Sequence, residues 1–472
     1  MICFGALMST IDTTVINVAL NTLERDLHSS VAGVQWVMTG YLLSVAGVIP
    51  VSGWASRRFG ARRVYVFALA MFALSSALCA AAGSLPMLVI CRVLQGVAGG
   101  LMIPLGQLIA AEVAGPDKVG RVLSRIWVVS SVGGTFGPTL GGLIMQGLGW
   151  RWIFLINVPV GLVATVAAFY LLPQMPARKA GRLDVGGLLR LTIGVPAIVF
   201  ALAQAEATGS VIGLSTLIPF VTGVLLICDF VRHALRTRHP LLDVRLFKRP
   251  TSLAGFVSIC LLDFAWFGML VLLPLYFQQV RHGTVVTAGL LLIPQGAGTA
   301  VGMWIAGRCG VGARGRAAVV TGALALVLTT GLFAILGPHA SFCLLCPVLV
   351  VSGVAGGMTW MPAIAMSYVG LKHEQISHAS PLVAVMMRLG ASFGTAVAAI
   401  LLQLELSRGS AKPHAAHVAW AFRASFVWET VAATIVLLLV AVLLRRSATA
   451  PEQHANLAGD ALAQPAVLLA EC

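Results

Sequence analysis

Five ionisable side chains stand inside stretches that are otherwise apolar: Asp12, Arg92, Asp263, Arg388 and Glu429. A charge in hydrocarbon costs about 3 kcal/mol on insertion scales, so such groups face the protein interior or a water-filled cavity. The chemistry that needs them there is charge transfer, in which a buried carboxylate binds a proton when a cationic partner leaves and releases it when the partner returns. Asp12 lies in Ser9-Thr-Ile-Asp-Thr-Thr-Val-Ile-Asn-Val-Ala-Leu20, and Arg92 opens Arg92-Val-Leu-Gln-Gly-Val-Ala-Gly-Gly100. At helical rise Arg92 is about six residues, ~9 Å, and Asp12 about eight residues, ~12 Å, from one outer surface, so the two can pair. Asp263 lies about eleven residues, ~17 Å, into its run, near the bilayer midplane. For each acid the alternative is a structural, hydrogen-bonded role.

On the same runs Asn17, Gln95, Trp266 and Gln278 add polar and aromatic groups, and with Arg388 and Glu429 they are candidates to line a substrate cavity. Phe264, Phe267, Trp304 and Trp360 offer further ring faces to a cation, packing being the alternative for each. Asp229, Glu405 and Glu206, at the ends of runs, are expected to reach water.

A second constellation is mechanical. Gly133-Gly-Thr-Phe-Gly-Pro-Thr-Leu-Gly-Gly142 places Gly133, Gly137 and Gly141 on one helical face, which lets another helix approach to backbone distance, and Gly142 follows. Pro138 has no N–H, so a bend is expected there. A third is Gly53-Trp-Ala-Ser-Arg-Arg-Phe-Gly-Ala-Arg-Arg63, a tight turn in which Gly60 can take positive φ. Its Arg57, Arg58, Arg62 and Arg63 can hold helix ends or lipid phosphates.

The elements that must position these residues are membrane helices. Only 10% of the 472 residues are charged, 58% are hydrophobic, and the mean hydropathy is +0.94, which excludes a soluble globule. A bilayer span needs roughly 20 apolar residues. Fourteen such runs are legible, from 2–20 to 424–444, with short loops between them; the chain is expected to be an all-α polytopic membrane protein. The net charge of +15 would suggest nucleic acid in a soluble protein, but here the basic residues alternate with the runs, and no nucleic-acid partner is expected. Twenty-three of the 31 Lys and Arg fall on one side and six on the other, which places both termini in the cytoplasm. The chain starts almost inside its first run, without the usual positive flank, so a start further upstream is expected.

Nine cysteines are scattered, and Cys343-Leu-Leu-Cys346 in an apolar helix reads as packing rather than redox chemistry. His414 and His417 have no acidic companion, and neither a metal nor any other cofactor is expected. No nucleophile with a base and no phosphate loop appears, so an enzyme is not expected.

The second half echoes the first. A shift of 257 residues lays Val132-Gly-Gly-Thr-Phe-Gly137 on Leu389-Gly-Ala-Ser-Phe-Gly394, with Pro138 on Thr395 and Gly141 on Ala398. With gaps, Asp12 falls near Asp263. Parallel repeats of this kind build secondary transporters with a central site. The expected organisation is an N-terminal bundle over 1–172, a linker over 173–250 with inserted spans 185–205 and 212–232, a C-terminal bundle over 251–446 and a disordered cytoplasmic tail over 447–472.

These motifs resemble those of the major facilitator superfamily, and within it the fourteen-span drug:proton antiporters of the EmrB/QacA type. The resemblance rests on Asp12-Thr-Thr-Val-Ile-Asn-Val-Ala-Leu20, Arg92 to Gly96, Gly133 to Gly142, Leu140 to Gly161, Pro274-Leu-Tyr-Phe-Gln-Gln279 and Ala288-Gly-Leu-Leu-Leu-Ile-Pro294. It implies two six-helix bundles rocking about a central cavity, with two inserted helices, and proton-driven export of lipophilic, often cationic compounds across the cell inner membrane. It makes Asp12 and Arg92 coupling residues, and Gly137-Pro138 a hinge or a gasket against leak. Two positions depart from the family pattern: Arg57 stands where the loop motif usually has Asp, and Asn21 where the first motif usually ends in Pro. The expected partners are small molecules, protons and the bilayer; a periplasmic adaptor or outer-membrane channel is not specified by the sequence. Export of a single endogenous metabolite or antibiotic is the narrower alternative, and a non-transporting membrane sensor or scaffold the one from another class.

Overall fold

The computed structural model describes residues 2–114, 119–175, 177, 182–208, 213–238, 240–283, 285–309, 312–336, 340–371, 373–407 and 415–449. The side chains of Asn17, Asn21 and Pro138 lie outside what is described, as do Glu206 and the disordered tail expected over 447–472 beyond its first helical residues. All regular structure among the described residues is helical. The first eight helices are α1 (Ile2–Asp26), α2 (Val31–Val48), α3 (Val51–Phe59), α4 (Ala61–Ala80), α5 (Leu85–Ala114), α6 (Val119–Leu148), α7 (Arg151–Leu155) and α8 (Asn157–Leu171). Two follow in the middle, α9 (Val185–Thr208) and α10 (Leu214–Arg236). The last seven are α11 (Pro250–Gln279), α12 (Val285–Leu291), α13 (Ile293–Cys309), α14 (Ala313–Ile335), α15 (Phe342–Tyr368), α16 (His373–Ser407) and α17 (Ala415–Thr449). Eleven of the described helices are long and apolar enough to cross a membrane, twelve when α2 and α3 count as one bent span.

That bend, 57° between α2 and α3, falls at Pro50. Proline has no N–H to continue the ladder, and its ring crowds the preceding turn. The basic segment read as a tight turn is therefore largely helical, and α3 ends only at Gly60, whose φ of 88° is open to glycine at little cost.

With lipid as solvent, helices gain little by hiding apolar side chains from each other, so close backbone approach through small residues decides the packing. On α6, Gly133 lies against Leu7, Gly137 against Thr14 and Gly141 against Val15, so the glycine face of α6 is the seat of α1. The second half repeats the arrangement: Gly390 and Gly394 of α16 abut the backbone of Cys260 and Phe264 on α11. Loss of the third glycine and the proline has not loosened the copy. Gly298 and Gly302 of α13 interlock with Gly353 and Gly357 of α15 in the same way. α6 packs along α13, which joins the two groups of helices side by side.

The middle pair bridges rather than joins either group. Thr192 of α9 donates to the Gly47 carbonyl of α2 at 3.1 Å, and Phe220 of α10 meets Phe393 of α16 edge-on. Arg190 and Asp229 tie α9 to α10 at 2.6 Å. Asp184 caps α9, accepting from Gly187 N at 2.8 Å, Leu241 N at 3.2 Å and the His233 ring at 2.7 Å. Burial works to raise the Asp184 carboxyl, but these hydrogen bonds outweigh it and hold the group below the usual aspartate range.

Two outcomes follow from this packing. Gly394→Val, which has only backbone to push against, should cost about 1–3 kcal/mol, read as a lowered thermal unfolding midpoint of the purified protein. Asp184→Ala should cost about 0.5–2 kcal/mol at neutral pH. Because the folded-state carboxyl is depressed, that contribution is complete above the ordinary aspartate range and disappears as pH falls through the folded-state value, so the parent and the variant should converge in acid melts.

Candidate functional site

Asp12 on α1 and Arg92 on α5 form a fully buried ion pair, Nη1 to Oδ2 at 2.6 Å. Every strong acceptor of the carboxylate is engaged: Oδ1 takes hydrogen bonds from Gln95 Nε2 at 2.9 Å and Asn157 Nδ2 at 3.1 Å. The guanidinium is engaged through Nη1 and Nε, while Nη2 meets no hydrogen-bond partner among the described residues. Nη1 also donates to Gln95 Oε1 at 2.7 Å, Nε donates to the Val37 carbonyl at 3.1 Å, and the plane lies 4.2 Å from the Tyr41 ring centroid and 5.7 Å from that of Phe154. Gln95 Nε2 donates further to Ser76 Oγ at 2.6 Å. Six helices, α1, α2, α4, α5, α7 and α8, thus converge on one pair of charges. Such a pair is tolerated because each charge meets both its opposite and a set of aligned dipoles.

A cavity of about 280 Å³ lies beside this network, between the two groups of helices. One wall is the hydroxyl face of α1, Ser9, Thr10, Thr13 and Thr14, with Gly99 and Gly100 of α5 and Trp127 of α6. The opposite wall comes from α11, α15 and α16, with Asp263, Phe267, Trp360 and Arg388. Trp127 and Trp360 approach each other across it at 6.5 Å between centroids. Asp12 does not reach the cavity; Ser9 and Thr13 of its own helix do, and Ser9 Oγ lies 3.4 Å from the Tyr41 hydroxyl, whose ring covers Arg92. Tyr41 is therefore the side chain between the cavity and the ion pair.

Asp263 is a contrast. It is 1% exposed, and neither carboxylate oxygen completes a hydrogen bond with a described residue. Arg388 acts on it electrostatically without closing an ion pair among the described residues.

The groups of helices also meet below the cavity, at the end that carries the basic loops. Arg57 Nη1 donates to Ser377 Oγ at 2.9 Å, Ser380 Oγ to the Pro104 carbonyl at 2.6 Å, and the Tyr368 hydroxyl to Gln107 Oε1 at 3.4 Å. A Cβ at Gly53 would meet the Ser377 carbonyl and stand 3.2 Å from the Pro381 ring, so α3 is pressed onto the start of α16. Arg62 turns the other way, to the Phe169 carbonyl and ring, while Arg58 and Arg63 are exposed.

Several sequence expectations are corrected. Gln95 is not a cavity residue but part of the Asp12 network. Glu429 is buried behind α11, against Gly268, and does not line the cavity. Trp266 backs Trp360 at 5.6 Å instead of facing the space, and Gln278 lies near the end of α11, away from it. Trp304 is 54% exposed on the lipid side, with Arg308 stacked on it at 3.5 Å. Glu405, expected to reach water, is buried and accepts from Trp428 Nε1 at 3.3 Å. Gly142 has open space where a Cβ would stand. Asn17 and Pro138, whose side chains are not described, carry no structural assignment. Asn157, Tyr41, Trp127 and Ser377 were not singled out from the sequence; only Asn157, an amide inside an apolar run, carried a signal there.

The family model described as Major Facilitator Superfamily matches residues 2–395. The chain belongs to the major facilitator superfamily. It is 37% identical over 407 residues to a Mycobacterium tuberculosis protein named Multidrug resistance protein B homolog, across 85% of this chain and 75% of that one. It is 29% identical over 452 residues to Putative multidrug resistance protein MdtD of Pectobacterium atrosepticum, across 94% of each. Among solved structures, the human organic anion transporter MFSD10 superposes with a TM-score of 0.65 at 18% identity, over 93% of this chain and 97% of that one. The proton:xylose symporter XylE gives 0.61 at 16% identity, over 91% and 93%. At these identities the two structures share the fold. This superfamily member is a multi-pass membrane transport protein, not an enzyme.

In a major facilitator protein with this ion pair, breaking one side strands the other charge. Asp12→Asn should lower stability by about 3–5 kcal/mol, whereas Asp12→Asn combined with Arg92→Gln should recover part of that loss, measured as thermal unfolding of the purified protein.

Proposed function

We propose that this transporter exports lipophilic, often cationic small molecules in exchange for protons, alternating access to the cavity from the two sides of a cell membrane. The observation that carries the reading is the cavity between the two helix groups, walled by aromatic rings and one carboxylate, Asp263, that no described residue satisfies. The names of the relatives, which refer to multidrug resistance, support export of foreign compounds. Counting α1 and α6 with the eleven apolar spans and the bent α2–α3 span supports fourteen spans, as in the drug:proton antiporters of the EmrB/QacA type.

The excess of basic loops on one side supports cytoplasmic termini and a position in the inner membrane. The hydrogen-bonded end is then the cytoplasmic one, and this conformer is shut inward. A proton enters from outside and neutralises Asp263. Rocking of the halves, with α1 sliding on the glycine face of α6, then disturbs the hydroxyl wall and Tyr41 and loosens the Asp12–Arg92 pair, so that Asp12 exchanges a proton in turn. Cargo entering from the inside competes with the proton for the ionised form, and a site that holds either but not both gives antiport. Gly53 and Arg57 act on the inner closure, and Gly133, Gly137 and Gly141 on the sliding face.

The cavity falls near the lower end of the roughly 300–1,000 Å³ range of small-molecule pockets, which favours as a second reading an exporter of one compound. A growth-inhibition panel of chemically varied toxic compounds separates the two: many protected compounds support the broad reading, one the narrow. In proteoliposomes with an imposed pH gradient, Asp12→Asn and Asp263→Asn should each abolish proton-driven efflux while inserting normally. Undiminished pH-dependent efflux in Asp12→Asn removes that residue from the coupling mechanism.

A further inference from the structure

We infer that the cavity takes a cargo bearing two opposite charges on an aromatic or apolar body, its cationic group against Asp263 and its anionic group against Arg388. The inference rests on the export reading and narrows the class of cargo.

Three observations carry it. First, Asp263 and Arg388 line the same cavity and are its only ionisable lining residues among those described. Asp12 and Arg92 satisfy each other outside it, and Glu429 is turned away behind α11. The lining therefore has one charge of each sign. Second, the two charges stand apart: no ion pair joins them among the described residues, and neither Asp263 oxygen completes a hydrogen bond, although the Trp360 indole lies close enough to act on the carboxylate. Asp263 is buried and Arg388 half-buried at the cavity wall, so each gains by meeting an opposite charge. A simple cation offers this to Asp263 and leaves Arg388 repelling it; a simple anion does the reverse. Only a doubly charged cargo compensates both, and the spacing that keeps the two residues from pairing leaves room for it to bridge them. Third, the rest of the lining is suited to an uncharged body. Trp127, Trp360 and Phe267 supply ring faces, and the α1 hydroxyls opposite can rotate to donate or accept.

The test is binding to the full-length protein in lipid nanodiscs, without a pH gradient, by titration calorimetry with tryptophan quenching as a second signal. The probes are 3-phenylpropyl-trimethylammonium, 4-phenylbutyrate and the 3-phenylpropyl dimethylglycine betaine, which share a body and differ in charge. The betaine should bind at least roughly tenfold tighter than either singly charged probe. Arg388→Gln should reduce the betaine to the level of the cation, and Asp263→Asn to that of the anion. Arg388→Lys, which keeps the charge, should keep the preference, and this guards against a variant that merely misfolds. The inference is overturned if the cation binds as tightly as the betaine, if the preference survives Arg388→Gln, or if the betaine does not bind. Loss of proton-driven efflux for every compound in proteoliposomes overturns the export reading instead, and the binding comparison does not depend on it.

Discussion

The buried pairing of Asp12 with Arg92 constrains everything around it. Two charges withdrawn from water are stable only while the remaining lone pairs and N–H groups of the pair largely meet dipoles. Gln95 and Asn157 satisfy the carboxylate, while Val37, Gln95 and the rings of Tyr41 and Phe154 hold the guanidinium, whose Nη2 alone meets no hydrogen-bond partner among the described residues. These partners come from different helices, so in this conformer the pair ties α1, α2, α5, α7 and α8 together. Any movement of α1 along α6 has to be reckoned against this network, and α1 meets the glycine face of α6 through Leu7, Ile11, Thr14 and Val15, a different side from Asp12.

The two halves repeat the scaffold and differ in the electrostatics. α6 seats α1 and α16 seats α11 through glycines at corresponding positions. Yet the acid on α1 is enclosed by partners, and the acid on α11 faces a cavity without them. Duplication of one packing solution has thus produced one stable charge and one exposed to whatever enters. The two acids therefore differ in surroundings, one held in a hydrogen-bonded network and the other lining the cavity.

Much of this was legible in the residues. Apolar runs of bilayer length, glycine spacing and the depth of Asp12 and Arg92 point to membrane helices, a close helix approach and a buried pair, because each depends on distances along one helix. The occupants of the cavity were harder to read. Gln95, Trp266 and Glu429 lie on the right helices, but the side of the helix they present depends on how neighbours rotate against it, and that is decided by contacts such as Gly356 against Trp266 and Gly268 against Glu429. Trp127 and Tyr41 carried no signal because aromatic residues in apolar runs are common and only their placement across the interface distinguishes them. The loop motif reads as a turn from its own glycines, but the break lies upstream at Pro50, after which helix resumes and carries Arg57 to α16.

The closure at the basic end has an electrostatic consequence of its own. Arg57 reaches Ser377, in the second turn of α16, near the end where unpaired backbone N–H groups gather positive potential. A cation there is opposed by the helix it fastens, whereas an anion would be drawn in. Two further bonds described at this closure, a hydroxyl on a carbonyl and a phenol on an amide, are neutral and exchangeable with water, each worth about 0.5–1.5 kcal/mol net. The sign of the side chain at position 57 therefore sets whether the dipole of α16 opposes or favours this contact.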